Sequence, residues 1–191
     1  MPDIYFEDKI FERVDFSGNP FEAGEYESCS FRHCIFSDTS LAGAEFSDCV
    51  FEGCHLGNTK LTRTTFNGVI FRNCKIQGVF FEDCNEFLFE VQFENCQISY
   101  TSFIGRVLKK QKFRNCKLLE VDFSGADLTE ASFENCELPG TKFDNTVLFK
   151  TDFRSAVNFS IDPTNNKIKK ARFSQAGLPG LLEKYELDIQ P

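Results

Sequence analysis

Residues 26–55 read YESCS FRHCI FSDTS LAGAE FSDCV FEGCH, and a large apolar residue begins each of these blocks of five. The same spacing runs from Phe6 to Phe81 and, after a two-residue insertion, from Leu88 to Phe153. Three later residues keep this phase: Ile168, Phe173 and Leu178. The chain is therefore built on an internal repeat of five residues.

A period of five fits neither a regular helix nor a flat strand. On a helix, five residues advance the face by about 140°, which would spread the apolar residues around the cylinder. On a strand, an odd period would send alternate large residues to opposite faces. The chain must therefore turn a corner within each repeat. In most repeats the residue two positions before the large one is small or apolar, as at Ala44 and Cys54, so two positions of five are predicted to face inward.

A slower period of 20 residues gives the number of corners. One column of large residues is Phe throughout: Phe11, Phe31, Phe51, Phe71, Phe93, Phe113, Phe133, Phe153 and Phe173. The small position of the next corner gives a cysteine column: Cys34, Cys54, Cys74, Cys96, Cys116 and Cys136. The residue after each column Phe alternates in charge: Glu12, Arg32, Glu52, Arg72, Glu94, Arg114, Glu134 and Arg154. A turn position carries an asparagine ladder: Asn73, Asn95, Asn115 and Asn135. These columns predict an all-β solenoid of about nine four-sided coils.

The net charge of −8 is concentrated at one end of the chain. Residues 1–60 carry 12 acidic and 4 basic side chains, whereas residues 61–191 are balanced. An acidic protein binds nucleic acid and anionic membranes poorly, so basic protein surfaces are the expected partners. No apolar run reaches the length of a membrane span, and no export signal is apparent. Nine cysteines in such a chain favour a cytoplasmic protein with free thiols.

These repeats resemble the pentapeptide-repeat family, whose consensus is A(D/N)LXX. The segment Gly125-Ala126-Asp127-Leu128-Thr129-Glu130 matches that consensus, and Phe71-Arg72-Asn73-Cys74 shows a Phe/Cys style of it. The resemblance covers about residues 4–178 and implies a right-handed quadrilateral β-helix. It divides the chain into a β-helix at 1–178 and a capping or dimerisation segment at 179–191.

The C-terminal sequence is similar to the ending of topoisomerase-protecting members, the Qnr, mycobacterial fluoroquinolone-resistance and microcin B17 immunity types. In those proteins the ending implies a short helix and an extended segment that joins two subunits. The residues expected to cap the solenoid or to join a homodimer are Leu178, Leu181, Leu182, Tyr185, Leu187 and Ile189. Capping alone and capping with dimerisation both remain open.

No catalytic or metal-binding set is apparent in the sequence. The cysteine column could be a metal or redox array, but no set of histidines accompanies it. Both histidines, His33 and His55, fall at outward positions, so we interpret the cysteines as structural thiols. We therefore predict a protein that is not an enzyme and has no cofactor.

Glu86 and Arg106 break the core pattern beside the insertion at residues 82–87. They occupy inward positions of one column, so they could form a buried ion pair. Alternatively, the insertion bulges and turns Glu86 outward. A local distortion at this point is a candidate recognition feature.

The acidic start of the chain is the best functional lead. The predicted partner-binding residues share one face or adjoin it: Glu7, Asp8, Glu22, Glu25, Glu27, Glu45 and Asp48. The same face turns basic further along: Lys109, Lys110, Lys150, Lys167, Lys169 and Lys170. Two hypotheses follow. The first is a DNA mimic that binds a type II topoisomerase, DNA gyrase, and protects it from a quinolone or toxin. The second is a scaffold for an unrelated protein partner; an acidic face could also serve solubility alone.

Overall fold

The computed structural model describes residues 4–18 and 21–188 and is an all-β parallel solenoid. Its backbone pairing forms four ladders, one on each side of the coil, which we name faces A to D. Face A begins with β1 (Tyr5–Glu7), β3 (Glu25–Glu27), β5 (Glu45–Ser47) and β8 (Thr65–Asn67). Face B contains β2 (Ile10–Glu12), β4 (Ser30–Arg32), β6 (Val50–Glu52), β9 (Val69–Arg72), β11 (Val91–Glu94), β13 (Lys112–Arg114) and β15 (Ser132–Glu134).

Face C contains β7 (His55–Gly57), β10 (Lys75–Gln77), β12 (Gln97–Ser99) and β14 (Lys117–Leu119). Face D has no extended strand in the described ranges and is held by single bridges, such as Ser40 to Lys60 and Ser102 to Asp122. Three short 3₁₀ helices complete the secondary structure of the described chain: Phe81–Asp83, Gln175–Leu181 and Glu183–Tyr185. The latter two form the predicted helical cap.

The predicted number of coils is wrong. The seven strands of face B are joined by six steps, and the last of these strands ends at Glu134. From there the ladder continues only through single bridges, Ser132 to Asp152 and Asp152 to Arg172. The part of the solenoid that is built from regular strands thus has about six turns rather than nine. The sequence predicted the higher number because the repeat of side chains continues beyond the last regular strand.

The core is a set of stacked side chains. Rings of the phenylalanine column stack from Phe11 to Phe173, with neighbouring centroids 4.7–5.3 Å apart. The rings from Phe31 to Phe153 are fully buried. The small positions Ala44 and Cys54 are also fully buried, which confirms that two residues of each repeat face inward. Burial of this many aromatic rings is the main stabilising contribution of the fold.

Corners need residues that accept the left-handed backbone conformation. The four asparagines of the ladder have φ between 51° and 54°. Asparagine tolerates this conformation better than most residues. The side-chain amide of Asn115 also donates to Oδ1 of Asn95 at 3.1 Å, and that of Asn135 donates to Oδ1 of Asn115 at 3.3 Å. The asparagine column therefore stabilises one corner of successive coils.

The cysteine column is structural. All nine thiols are free and buried. The Sγ atoms of Cys54 and Cys74 each lie 3.2 Å from a phenylalanine carbonyl oxygen one coil earlier, so each thiol donates to the main chain. Burial raises the pKa of Cys74 well above its usual value, which keeps that thiol protonated. Within residues 4–18 and 21–188, no group of His, Cys, Asp and Glu side chains could hold a metal ion.

Candidate interaction surface

The acidic residues of face A lie directly above one another. Parallel pairing places Glu7 beside Glu27 and Glu25 beside Glu45. All seven predicted partner-binding residues are exposed: Glu7, Asp8, Glu22, Glu25, Glu27, Glu45 and Asp48. Residues in register on adjacent strands are only about 5 Å apart, so this arrangement places like charges next to one another.

No cation among the described residues compensates these carboxylates. Across the part of the chain that the structure describes, none of the salt bridges involves any of the seven acidic residues. One neutral donor is present: the Tyr5 hydroxyl donates to Oε2 of Glu27 at 2.7 Å. This hydrogen bond raises the pKa of Tyr5 above its usual value. The first three rungs of face A are therefore a surface of uncompensated negative charge.

The second half of face A is basic and partly paired. Nζ of Lys109 lies 3.3 Å from Oδ2 of Asp127, and Nζ of Lys150 lies 2.6 Å from Oε1 of Glu130. The contact with Lys150 lowers the pKa of Glu130. The remaining lysines of this half are exposed and form no salt bridge with a described residue: Lys110, Lys167, Lys169 and Lys170. The charge of face A therefore changes sign along the solenoid.

The insertion after Phe81 separates these halves and bulges outward. Glu86 is exposed while Arg106 is buried, so the buried ion pair is not formed and the alternative reading of an outward bulge is correct. The predicted resumption of the core pattern at Leu88 is also wrong. Leu88 is 55% exposed, and Phe89 packs on the core instead, 6.1 Å from the Phe81 ring centroid.

Arg106 fills the space beneath the bulge. Its guanidinium donates to the carbonyl oxygens of Cys84 at 3.2 Å and Asn85 at 2.8 Å. It also lies over the ring of Phe89, 4.1 Å from the centroid. Burial lowers the pKa of Arg106, and its Nε atom has no hydrogen-bond partner. Arg106 thus satisfies main-chain carbonyls of the bulge and supports the loop that protrudes there.

Several apolar side chains around the bulge are exposed, which the sequence pattern did not predict. Phe87, at the tip, is 81% exposed, and Val107 on the next rung of face A is 62% exposed. Ile104, around the corner on face D, is 48% exposed. The signal that could have located this region was Arg106 itself, a large charged residue at a position otherwise occupied by residues such as Ala126.

The C-terminal segment closes the far end of the solenoid. Leu181 packs on the core, whereas four other predicted cap residues remain substantially exposed: Leu178, Leu182, Tyr185 and Leu187. Ile189 lies outside the described residues. Nζ of Lys184 lies 2.6 Å from Oδ1 of Asp162, which fixes the segment to the preceding coil. A cavity of about 790 Å³ remains between them, lined in part by Phe159, Pro179 and Leu187.

In the described residues, no helix has the length and apolar character needed to cross a bilayer. Among solved structures, a trypsin-treated form of QnrB1, described as a plasmid-mediated fluoroquinolone resistance protein, is similar at 20% identity with a TM-score of 0.50. That match covers 98% of this chain and all of the other. HetL, a pentapeptide repeat protein involved in heterocyst differentiation regulation from the cyanobacterium Nostoc sp. strain PCC 7120, is 15% identical with a TM-score of 0.38. It covers 88% of this chain and 86% of its own.

The curated proteins contain no match to this sequence. Two family models do match. The one described as "Pentapeptide repeat region" matches residues 25–103 and 44–120, and the one described as "Pentapeptide repeats (8 copies)" matches residues 112–145 and 126–157. Together they extend over more than half of the chain and coincide with the four-sided parallel coil. The chain belongs to the pentapeptide-repeat family.

Proposed function

We propose that this protein is a non-catalytic binding protein whose acidic half of face A binds a basic protein surface. DNA gyrase, a type II topoisomerase, is the partner that we put forward, with protection from a quinolone or toxin as the outcome. The observation that carries the proposal is the in-register stacking of Glu25 on Glu45 and of Glu7 on Glu27 without a cation between them. Such stacking destabilises a sheet unless a partner neutralises it.

The spacing of the charges supports a DNA-like surface. The first three rungs of face A each present two carboxylates: Glu7 and Asp8, Glu25 and Glu27, and Glu45 and Asp48. At about 4.8 Å per rung this gives one negative charge per roughly 2.4 Å. Duplex DNA carries one per about 1.7 Å. A protein that binds DNA electrostatically would therefore meet a similar charge density here.

We choose a topoisomerase as the partner for two reasons: the resemblance of the C-terminal sequence to topoisomerase-protecting proteins, and this charge density. QnrB1 is described as a fluoroquinolone resistance protein, but at 20% identity the likeness speaks for the fold alone. A supercoiling assay with purified gyrase, with and without a quinolone, tests the idea. We expect micromolar protein to restore supercoiling in the presence of the drug; if it neither restores nor inhibits supercoiling, gyrase is not the partner.

Charge reversal tests whether the acidic face carries the binding. The variant Glu25→Lys/Glu45→Lys should weaken gyrase binding at least tenfold, because it replaces attraction by repulsion at the centre of the acidic half. Glu120→Lys/Glu137→Lys is the matched control, since it changes the net charge equally at exposed positions elsewhere. Equal affinities of the two variants for gyrase would show that face A does not take part in the binding.

A scaffold for an unrelated partner is the second candidate. It is favoured by the basic lysines in the far half of face A, because a DNA mimic should be negative throughout. Affinity capture from the native cell, with wild-type protein and Glu25→Lys/Glu45→Lys side by side, separates the candidates. A basic protein other than a topoisomerase, lost with the variant, would identify the scaffold function.

The contacts of the C-terminal segment support a capping role. Leu181 covers the last coil, and the Ile161 amide donates to the Gly180 carbonyl at 2.9 Å. Dimerisation through the exposed residues Leu182, Tyr185 and Leu187 is the alternative function of this segment. Light scattering of the chain with and without residues 181–191 tests this alternative. Conversion of a dimer to a monomer on deletion supports dimerisation, and an unchanged number of subunits supports capping alone.

A further inference from the structure

Face A is electrically bipolar over its full length. The rungs before the bulge carry the six carboxylates of residues 7, 8, 25, 27, 45 and 48. The rungs after it carry six lysines and two acidic residues, Asp127 and Glu130. Two of the lysines are engaged with those acids, which leaves four without a salt bridge in the described chain: Lys110, Lys167, Lys169 and Lys170. An acidic half and a basic half thus share one face of the solenoid, with the bulge between them.

The bulge stands midway along this surface. Four rungs of the ladder precede it: Tyr5, Glu25, Glu45 and Thr65. Four rungs follow it: Val107, Asp127, Val147 and Lys167. A two-fold axis through the bulge would therefore superpose the first rung of one copy on the last rung of another. Self-complementarity of this kind is what a symmetric dimer requires.

Antiparallel placement about that axis matches opposite charges. The rung of Glu7 and Asp8 would face the rung of Lys167, Lys169 and Lys170. One rung inward, Glu25 and Glu27 would face Lys150. On the third rung, Glu45 and Asp48 would face Asp127 and Glu130, whose charges are offset within the chain by Lys109 and Lys150. In a parallel placement the same rungs would face themselves, with acid against acid. Charge complementarity therefore selects the antiparallel arrangement.

The centre of the same surface is apolar. The bulge tip carries Phe87, 81% exposed, and Leu88, 55% exposed, and Val107 beside it is 62% exposed. Across the two-fold axis, each of these residues would lie next to the same residue of the second copy. An apolar centre surrounded by a charged rim is the usual anatomy of a protein interface. The buried Arg106 holds the bulge from below, so the tip is presented on a supported loop.

We infer that face A binds a second copy of this chain, antiparallel, with Phe87 and Leu88 at the two-fold axis and each acidic half on the partner's basic half. The ladder is about 38 Å long at about 4.8 Å per rung, and four outward residues span about 13 Å. This gives roughly 1,000 Å² of total buried surface, which is below the range of about 1,200–2,000 Å² for stable specific interfaces and is typical of weak, transient ones. The dimer is therefore weak and depends on salt concentration.

Self-pairing goes beyond the proposed function but uses the same carboxylates. Pairing with a second copy and binding of a basic partner therefore exclude one another. The two ideas differ in their demands, because only self-pairing needs the lysines of the far half. A variant that alters those lysines alone separates them.

Sedimentation velocity at low salt tests the charge pairing. The wild type should dimerise with a dissociation constant that rises at least tenfold between about 50 and 500 mM salt. Lys169→Glu/Lys170→Glu should weaken the dimer by about tenfold or more and leave binding of any basic partner intact. Adding Glu7→Lys/Asp8→Lys to that variant should restore the dimer, because both rungs are then reversed. A monomer at every salt concentration, or a dimer unaffected by the lysine reversal, would overturn the inference.

Cross-linking tests the position of the axis. The native cysteines are buried, so a new surface cysteine is the only accessible thiol among the described residues. Phe87→Cys should be cross-linked to its copy by a short bis-maleimide. Val157→Cys is the control: Val157 is half-exposed on face C, away from the proposed interface, so this variant should not be cross-linked. A dimer that is broken by Leu182→Ser/Tyr185→Ser but is not cross-linked through residue 87 would assign self-association to the C-terminal segment instead.

Discussion

Faces A and B are built by the same backbone but use charge in opposite ways. On face B, Glu94 lies between Arg72 and Arg114, with N–O distances of 3.0 and 3.4 Å, and Arg114 also reaches Glu134 at 3.2 Å. On face A, the corresponding neighbours are Glu7 and Glu27, which share a sign. Both faces have the same parallel register and the same aromatic stacks behind them. The pattern of charge is therefore independent of the fold.

The difference identifies which face is available for binding. Opposite charges in register stabilise neighbouring strands, and like charges destabilise them by a similar amount. Between Arg72 and Glu134, face B pairs its charges within the chain, so this part offers a partner few unpaired charges. Face A retains charges that only another molecule can neutralise.

The largest effect is expected from the aromatic core. Phe113→Ala should lower the free energy of unfolding by about 3–5 kcal/mol, because Phe113 is fully buried between Phe93 and Phe133 and its loss leaves a cavity. Phe87→Ala should change it by less than about 0.5 kcal/mol, since that ring is exposed. Urea unfolding followed by far-ultraviolet circular dichroism measures both. Equal losses would mean that the bulge is part of the core.

The support beneath the bulge comes next. Arg106→Ala should cost about 2–3 kcal/mol, because it removes the donors to the carbonyl oxygens of Cys84 and Asn85 and leaves a cavity below Phe89. Arg114→Ala on face B is the control and should cost about 1 kcal/mol or less, since its ion pairs are partly exposed. A smaller loss at Arg106 than at Arg114 would show that the bulge does not depend on this side chain.

Removing the central charge of face B should have a modest effect. Glu94→Gln is expected to lower the free energy of unfolding by about 1 kcal/mol at low salt, because Arg72 and Arg114 lose their common partner. The loss should shrink as salt is added, since salt screens these partly exposed charges. Unchanged stability at about 20 mM salt would contradict the view that face B is internally compensated.

The smallest effect concerns an ion pair outside both ladders. Hydrogen bonds from Lys184 and Thr164 lower the pKa of Asp162 from 3.8 to about 2. The folded pKa lies below the unfolded value, so the pair stabilises the C-terminal segment above about pH 4 and is lost as the pH falls towards 2. Amide NMR signals of Lys184 and Tyr185 should shift over this range. Asp162→Asn should abolish that transition; a transition that persists in the variant would assign it to another group.

The regular parts of the molecule could be predicted because the members of each column recur every 20 residues in the sequence. The phenylalanine, cysteine and asparagine columns all occupy their expected places, at Phe113, Cys74 and Asn115 among others. The number of turns could not be obtained in this way. Side-chain period specifies which residues point inward, but it does not determine whether the main chain after Glu134 forms strands or single bridges.

The bulge could not be predicted because an insertion interrupts the five-residue phase that identifies the inward positions. The spacing after Phe81 placed Leu88 in the core, whereas the chain takes one further residue to return and buries Phe89. Arg106 stood out in the sequence, but its partners are main-chain carbonyls, which no side-chain pattern reveals. The positions of the acidic residues were predictable from the sequence. Only the strand register shows that no cation of the described residues lies beside them.

The stability of a variant that neutralises face A tests the comparison most directly. We expect Glu25→Gln/Glu45→Gln to raise the free energy of unfolding by roughly 0.5 kcal/mol at low salt, because it removes repulsion between residues in register. The gain should disappear in about 1 M salt. The matched variant on face B, Glu94→Gln/Glu134→Gln, should be less stable than the wild type, because both carboxylates form ion pairs with arginines. A loss of stability in both variants would contradict the account, because the carboxylates of face A would then stabilise the fold as those of face B do.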